Sequence, residues 1–353
     1  MTGDPTGGRA LSGWERAAPV LTLLLLSPLI GEVMSGATLL SYIGALVPEI
    51  MVWGCGTLMI RDAVRRWRGA WTSVLLLGLG LSVAEEFVIQ QTSIAPLPWM
   101  GANPIYGRVF GVNWPYFLFQ LGFEAVWIVL VPIQVTELIF SEPDRRDVPW
   151  LRTRGLVSSG IVFVVGSFIA WFSWTQFARP LAFHVPPYSP PPLTVALGLL
   201  AIALLVVAAH ASRIYGHTRA GRTAPAPWVV FLGALLLGFP WYGLMVVVFG
   251  GWSDLPLSIP LASASVWGIG TFLLIGRWTT ASDWEDRHRW ALTFGGLLVC
   301  MLAGFLGAAA WSRTDTMAKA VMNFAAVVGM LQLRRKIGRR SKAPIDDPHP
   351  AVL

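Results

Sequence analysis

Long apolar runs alternate with short polar breaks along the whole chain. Runs of about 20 residues, the length that crosses hydrocarbon as a helix, lie near 17–36, 39–60, 71–91, 114–140 and 155–177. A second set lies near 193–213, 227–250, 257–276, 290–312 and 317–333. The pattern predicts an all-α fold: a polytopic transmembrane helix bundle of about ten helices. The bundle would occupy residues 17–333, between a segment at 1–16 and a basic, disordered tail at 334–353. The first apolar run follows MTGDPTGGRALSGWERAAPV and has the look of a signal peptide, but the charge pattern requires it to stay as an uncleaved anchor.

Composition agrees with the pattern. Of 353 residues 55% are hydrophobic and 13% charged, with 18 Trp and a mean hydropathy of +0.61, which is the make-up of a membrane protein rather than a soluble domain.

The net charge of +7 could indicate nucleic acid, but the basic residues are not patched with stacking aromatics. They fall in every second loop, the positive-inside pattern. With the N-terminus in the cytoplasm, all of the 26 Lys and Arg lie on that side except Arg108, Arg179, Arg313 and Lys319. This predicts both termini in the cytoplasm and a multi-pass protein of the cytoplasmic membrane. The tail, RRKIGRRSKAPIDDPHPAVL, is expected to touch anionic lipid. The outer loops at 91–113 and 179–193 are rich in Pro and aromatic residues and fit the outer interface, as do Trp99, Trp114, Trp171, Trp174, Trp241 and Trp252 in an aromatic belt.

Carboxylates change the picture. An acid deep in a membrane helix costs about 2.5–3.5 kcal/mol on insertion scales unless it has a partner or cavity. Glu32, Glu49, Glu85, Glu86, Glu124 and Glu137 fall in the first four runs, and the later six runs hold none. Glu137 is near the cytoplasmic end, where it would meet water. The adjacent pair Glu85 and Glu86 is about 100° apart in helical phase. Glu85 shares a small-residue face with Gly78 and Ser82, suited to close packing, whereas Glu86 shares a face with Gln90. Asn113, Gln120 and Glu124 line one stripe of the fourth helix, with Asn113 as its N-cap and Pro115 in its first turn. Ser27, Gly31 and Ser35 flank Glu32, and Tyr42 joins Glu49. Four such faces would enclose a polar pocket open to the outer side, in which some acids hold protons.

Cys55 and Cys300 fit two separate buried small residues. The five histidines lack the spacing of a metal site, His288 fits a solvated loop, and there is no HExxH, CxxC, Walker or GxSxG motif. No metal or cofactor is expected.

The segments SPLIGEVMSGAT (27–38), AEEFVIQQ (84–91), YGRVFGVNW (106–114) and VPIQVTELIF (131–140), with PWL at 149–151, resemble a group of uncharacterised polytopic membrane proteins of bacteria and archaea over about residues 25–155. That resemblance implies a membrane site in the first four helices. The pair Glu85 and Glu86 is also similar to the EExxxR signature of the CAAX-processing and bacteriocin-immunity intramembrane proteases. There the glutamate activates water, and His and Asn of later helices complete the site. In this chain Gln90 stands at the Arg position, and no FxxxH or HxxxN/D pattern follows in a helix.

Three readings follow. The first is a binding or transport protein in which Glu32, Glu49, Glu85, Glu86, Gln90, Arg108, Asn113, Gln120 and Glu124 form a protonatable pocket for a proton, cation or small amine-bearing solute. The second is a glutamate-dependent protease-like enzyme using Glu85 and Glu86. The third is a structural or sensor protein whose neutral acids join helices.

Overall fold

The computed structural model describes residues 13–96, 106–140, 147–214, 221–248, 251, 252 and 254–340. Arg9, Trp99, Arg145, Arg146, His217, Arg219, Lys342 and His349, together with most of the expected N-terminal segment and the tail beyond Arg340, lie outside the described residues.

In chain order the long helices are α1 (Ala17–Met34), α2 (Leu40–Arg66), α3 (Trp71–Ile89), α4 (Trp114–Phe140), α5 (Thr153–Ala182), α6 (Pro192–Ala211), α7 (Pro227–Val248), α8 (Ser258–Thr279), α9 (Asp286–Ala303) and α10 (Arg313–Arg340). Among the described residues, nine of them, all but α9, are long and apolar enough to cross a membrane. The expected span at 290–312 is broken into α9, whose first turn carries Asp286, Arg287, His288 and Arg289, and a short 3₁₀ turn at Ala308–Ala310. The chain is an all-α, multi-pass membrane protein. A two-residue hairpin, β1 (Arg108–Val109) and β2 (Val112–Asn113), precedes α4, and its turn uses Gly111 at φ +80°, a conformation open to glycine. Asn113 then caps α4, its Oδ1 accepting from the Tyr116 N–H at 3.2 Å with Pro115 in the first turn, as its position in the sequence implies.

Helices α3 and α4 are the centre: 67% and 61% of their apolar windows are buried, against 11% in α5, α6 and α8, which leave broad apolar faces outward. Small residues set the spacing. A Cβ on Gly78 of α3 would lie 3.2 Å from Ala125 Cα on α4, and one on Gly31 of α1 only 2.3 Å from Ile128 Cγ1 on α4. Gly54 of α2 would meet Leu24 O of α1 at 2.4 Å. Such approaches let dispersion and polar contacts replace the hydrophobic drive that lipid does not supply.

One end of the bundle is held by Glu137. Rather than meeting water, its carboxylate is fully buried and accepts from three arginines. Arg61 Nε of α2 lies at 3.2 Å, Arg65 binds both oxygens at 2.7 and 2.9 Å, and Arg289 Nη2 of α9 lies at 3.0 Å. Arg61, expected in a solvated loop, is itself fully buried, stacked 3.6 Å from the Trp150 ring centroid and donating to Val148 O. Asp62, also buried, accepts from Arg66 at 2.8 Å and from the Leu151 N–H at 3.0 Å. That contact fixes the PWL segment.

Helix α10 starts at Arg313, earlier than the apolar run indicates, and continues through the first residues of the expected disordered tail to Arg340. Lys336 Nζ donates to Ile139 O at 2.8 Å and Arg340 to Leu138 O at 3.3 Å, so cations meet the exposed carbonyls at the C-terminal end of α4. At its other end Lys319, expected in an outer loop, is buried and donates to Met34 O, the last residue of α1. Trp241 of α7 packs against Gly122 and donates to Phe119 O at 3.0 Å, an interhelical tie. His288 is buried in the N-terminal cap of α9, accepting from the Glu285 N–H and stacked on Trp284, not solvated.

Removing Glu137 strands three guanidinium groups together. Glu137→Leu is expected to cost about 3–5 kcal/mol, seen as a large fall in the thermal midpoint of the detergent-purified protein. Asp147→Asn, whose partner contact is on an exposed side chain, should leave the midpoint unchanged.

Candidate functional site

The four helices that carry Glu32, Glu49, Glu85, Glu86 and Glu124 all depart from α-geometry beside them. π-Helical turns occupy Leu29–Met34 of α1, which contains Glu32, and Ile50–Gly54 of α2, directly after Glu49. They also occupy Glu85–Ile89 of α3 and Glu124–Leu130 of α4, each opening on its glutamate. Such turns are rare and concentrate at functional positions.

A π-turn offsets carbonyls from the α-helical ladder, and within hydrocarbon each needs a partner. Ile128 O accepts from Ser27 Oγ of α1 at 2.7 Å and Thr57 Oγ1 of α2 at 3.1 Å, so three helices meet at one carbonyl. Ser27 Oγ also lies 3.2 Å from Trp53 O and 3.0 Å from Thr57 Oγ1. In α3, Glu85 O accepts from the N–H groups of Gln90 and Gln91, both at 3.0 Å. Gln91 then turns at φ +62°, and Thr92 and Ser93 fold back under the helix.

That reversal supplies the cradle of Glu86. Its Oε2 accepts from Thr92 Oγ1 at 2.7 Å and Ser93 Oγ at 2.5 Å, and its carboxyl also interacts with Gln120 and Glu124 of α4. Gln120 Nε2 reaches Tyr116 OH at 3.2 Å. Glu86 is therefore fully buried and as central as its neighbour. Glu85 is 2% exposed, and neither of its oxygens has a hydrogen-bond partner among the described residues. It interacts electrostatically with Glu86, Glu32 and Glu49, and with Glu124. Glu124 is likewise 2% exposed, with Oε2 unpartnered.

On the other side, Trp53 Nε1 donates to Glu32 Oε1 at 3.0 Å. Thr38 Oγ1 lies 2.8 Å from Glu49 Oε1 and 3.2 Å from Glu32 Oε2. A hydroxyl has one hydrogen to give. One of these two contacts therefore requires a proton on a carboxyl.

Thus Glu32, Glu49, Glu85, Glu86, Gln120 and Glu124 come together from four helices, with Glu85 at the middle. The other expected members serve the scaffold. Gln90 closes the π-turn through its backbone, Asn113 caps α4, and Arg108 donates to Ile94 O at 2.9 Å and to Gly111 O, bracing the loop. Tyr42 leaves the Glu49 face because Leu40–Ala45 is a 3₁₀ segment kinked at Tyr42 itself, which is 70% exposed. Thr38, Thr92, Ser93 and Tyr116 were missed. The only trace of them in the sequence is a pair of hydroxyls six and seven residues after Glu86. The described His210 packs edge-on against Trp67, and Cys55 and Cys300 are separate buried thiols.

The cluster is closed, without the open mouth expected of it at its centre. No three of His, Cys, Asp and Glu among the described residues are arranged to share a metal ion. No family model, curated protein or solved structure matches the chain, so its chemistry is read from this geometry.

If the hydroxyl junction holds the π-turn of α4, Ser27→Ala combined with Thr57→Val should leave Ile128 O bare and cost about 0.5–2 kcal/mol. Thermal unfolding in detergent measures this, and an unchanged midpoint would show the junction to be dispensable.

Proposed function

We propose that this protein is a membrane binding or transport protein whose five-glutamate cluster takes up a proton or a small amine-bearing cation. The observation that carries the reading is Glu85: a carboxyl 2% exposed, with both oxygens unpartnered, among four other acids. A bare buried carboxylate is costly, and in hydrocarbon it marks a path or site for a neutralising charge. Structural acids joining helices would instead be expected to spend their oxygens on interhelical hydrogen bonds, as Glu137 does.

The surrounding groups favour an exchangeable proton or an N–H donor over a ligated metal. Hydroxyls, a carboxamide and carboxyls accept and donate in fixed directions, which suits an ammonium group that presents several N–H bonds. With the N-terminus on the cytoplasmic side, as the loop arginines favour, the cluster lies toward the outer half of the bilayer.

Cation and proton compete for the same oxygens, so the sign with pH is fixed: acidification weakens cation binding, by about tenfold per pH unit for each proton displaced. Methylammonium serves as the probe. It is expected to raise the thermal midpoint of the purified protein more at pH 8 than at pH 6. Glu85→Gln and Glu124→Gln should each weaken that stabilisation at least tenfold while the proteins still insert and fold. Wild-type stabilisation surviving in both variants would overturn the reading, as would flux of methylammonium into vesicles at the wild-type rate.

A further inference from the structure

We propose that the small pocket between the α1–α2 turn and the start of α10 is the entrance to the glutamate cluster, with the Thr38 hydroxyl as its proton relay. This rests on the reading of the cluster as an exchanging site, and adds the route and the residue that controls its rate.

The pocket's lining includes Val33, Gly36, Thr38, Asp315, Ala318 and Lys319, and Thr38 hydrogen-bonds to two of the acids. Thr38 is buried at its inner wall, with its hydroxyl against both Glu32 and Glu49. Glu85, Glu86 and Glu124, by contrast, are sealed among α3 and α4. Glu32 and Glu49 both interact electrostatically with Glu85, so a proton arriving through Thr38 changes the field on the bare carboxyl.

The other charged groups at the mouth are already committed. Asp315 accepts from Ser41 N–H at 2.9 Å, from Ser41 Oγ at 3.1 Å and from Ser312 Oγ at 2.6 Å. Lys319 donates to Met34 O and lies 4.6 Å over the Phe305 ring. They clasp the turn to α10 and fix the pocket's shape. Gly36 makes the turn at φ +84°, where a Cβ would strike Trp311 at 2.4 Å. The groups facing Thr38 and its acids are thus Glu32 of α1, Glu49 of α2, Glu85 of α3, Asp315 and Lys319 of α10, and the Cys300 thiol of α9, which interacts with Glu32 and Lys319.

The relay conserves every atom. A hydronium ion in the pocket gives a hydrogen to Thr38 Oγ1 as the hydroxyl gives its own to the Glu32 or Glu49 carboxylate. One O–H bond breaks and one forms at the threonine, the hydroxyl is regenerated, a water is left in the pocket, and a single proton has moved from the pocket to the acid. The reverse step returns it.

The experiment is a stopped-flow pH jump on the purified full-length protein, with a pH-indicator dye reporting proton uptake. The component lost in Glu85→Gln is the cluster's. Thr38→Val, which keeps shape and removes the hydroxyl, is expected to slow that component at least tenfold with its amplitude unchanged, and Thr38→Ser should restore the rate to within about twofold. Ala318→Cys, labelled with a membrane-impermeant sulfonated thiol reagent, should slow it as well, with the unlabelled variant as control. A wild-type rate in Thr38→Val, or in labelled Ala318→Cys, overturns the entrance. A wild-type protein with no component that Glu85→Gln removes overturns the cluster reading instead, so the two failures are distinct.

Discussion

A carboxylate placed in hydrocarbon must be neutralised, and much of this structure follows from how that is done along α4. At Glu137 three arginines converge from α2 and α9. At Glu124, thirteen positions earlier and about 20 Å along the axis, the neighbours among the described residues are other carboxyls and a hydroxyl, with a carboxamide on the adjoining Glu86. The first arrangement is a fixed ion cluster, favourable only because its geometry and its hydrogen bonds are nearly complete. The second leaves oxygens of Glu85, Glu86 and Glu124 without hydrogen-bond partners among the described residues. One helix therefore carries an ion-paired anchor at one end and unpaired acids in its middle.

The π-helical turns connect the two roles. Four of them lie beside the glutamates; the offset Ile128 carbonyl is held by hydroxyls of two neighbouring helices, and that of Glu85 by the Gln90 and Gln91 N–H groups that close its own turn. Close glycine contacts at Gly31, Gly54 and Gly78 bring the backbones near enough for short side chains such as Ser27 and Thr57 to reach across. Local irregularity that would be expensive in isolation persists because the surrounding packing determines it. The same packing explains why Glu85, Glu86 and Glu124 are sealed.

Helix α10 completes the frame. Its cations sit on the carbonyl ends of α1 and α4, with Lys319 at Met34 and with Lys336 and Arg340 at Ile139 and Leu138. Trp290 of α9 ties to Met330 O in between at 2.8 Å. The last helix thus spans the two helices that frame the acid layer, whereas α5, α6 and α8 present mainly apolar surface outward.

Long apolar runs determined by themselves that the chain is a bundle of membrane helices, since hydrocarbon leaves a backbone few other ways to satisfy its polar groups. Spacing within the runs also determined the Asn113 cap and the Gly78 packing face, because both depend on residues within a few positions of one another. Convergence of Glu32, Glu49, Glu85, Glu86 and Glu124 was legible as four polar faces, but ideal helical phase misplaced Glu86 and Tyr42: a π-turn and a 3₁₀ kink change the phase, and no residue type announces either. Tertiary structure alone decided that Glu137 and Arg61 are buried together, that Lys319 reaches α1 from 285 positions away, and that Thr38 bridges two acids. Those contacts join residues far apart in the chain, and a charge near the end of an apolar run reads the same whether it meets water or another helix.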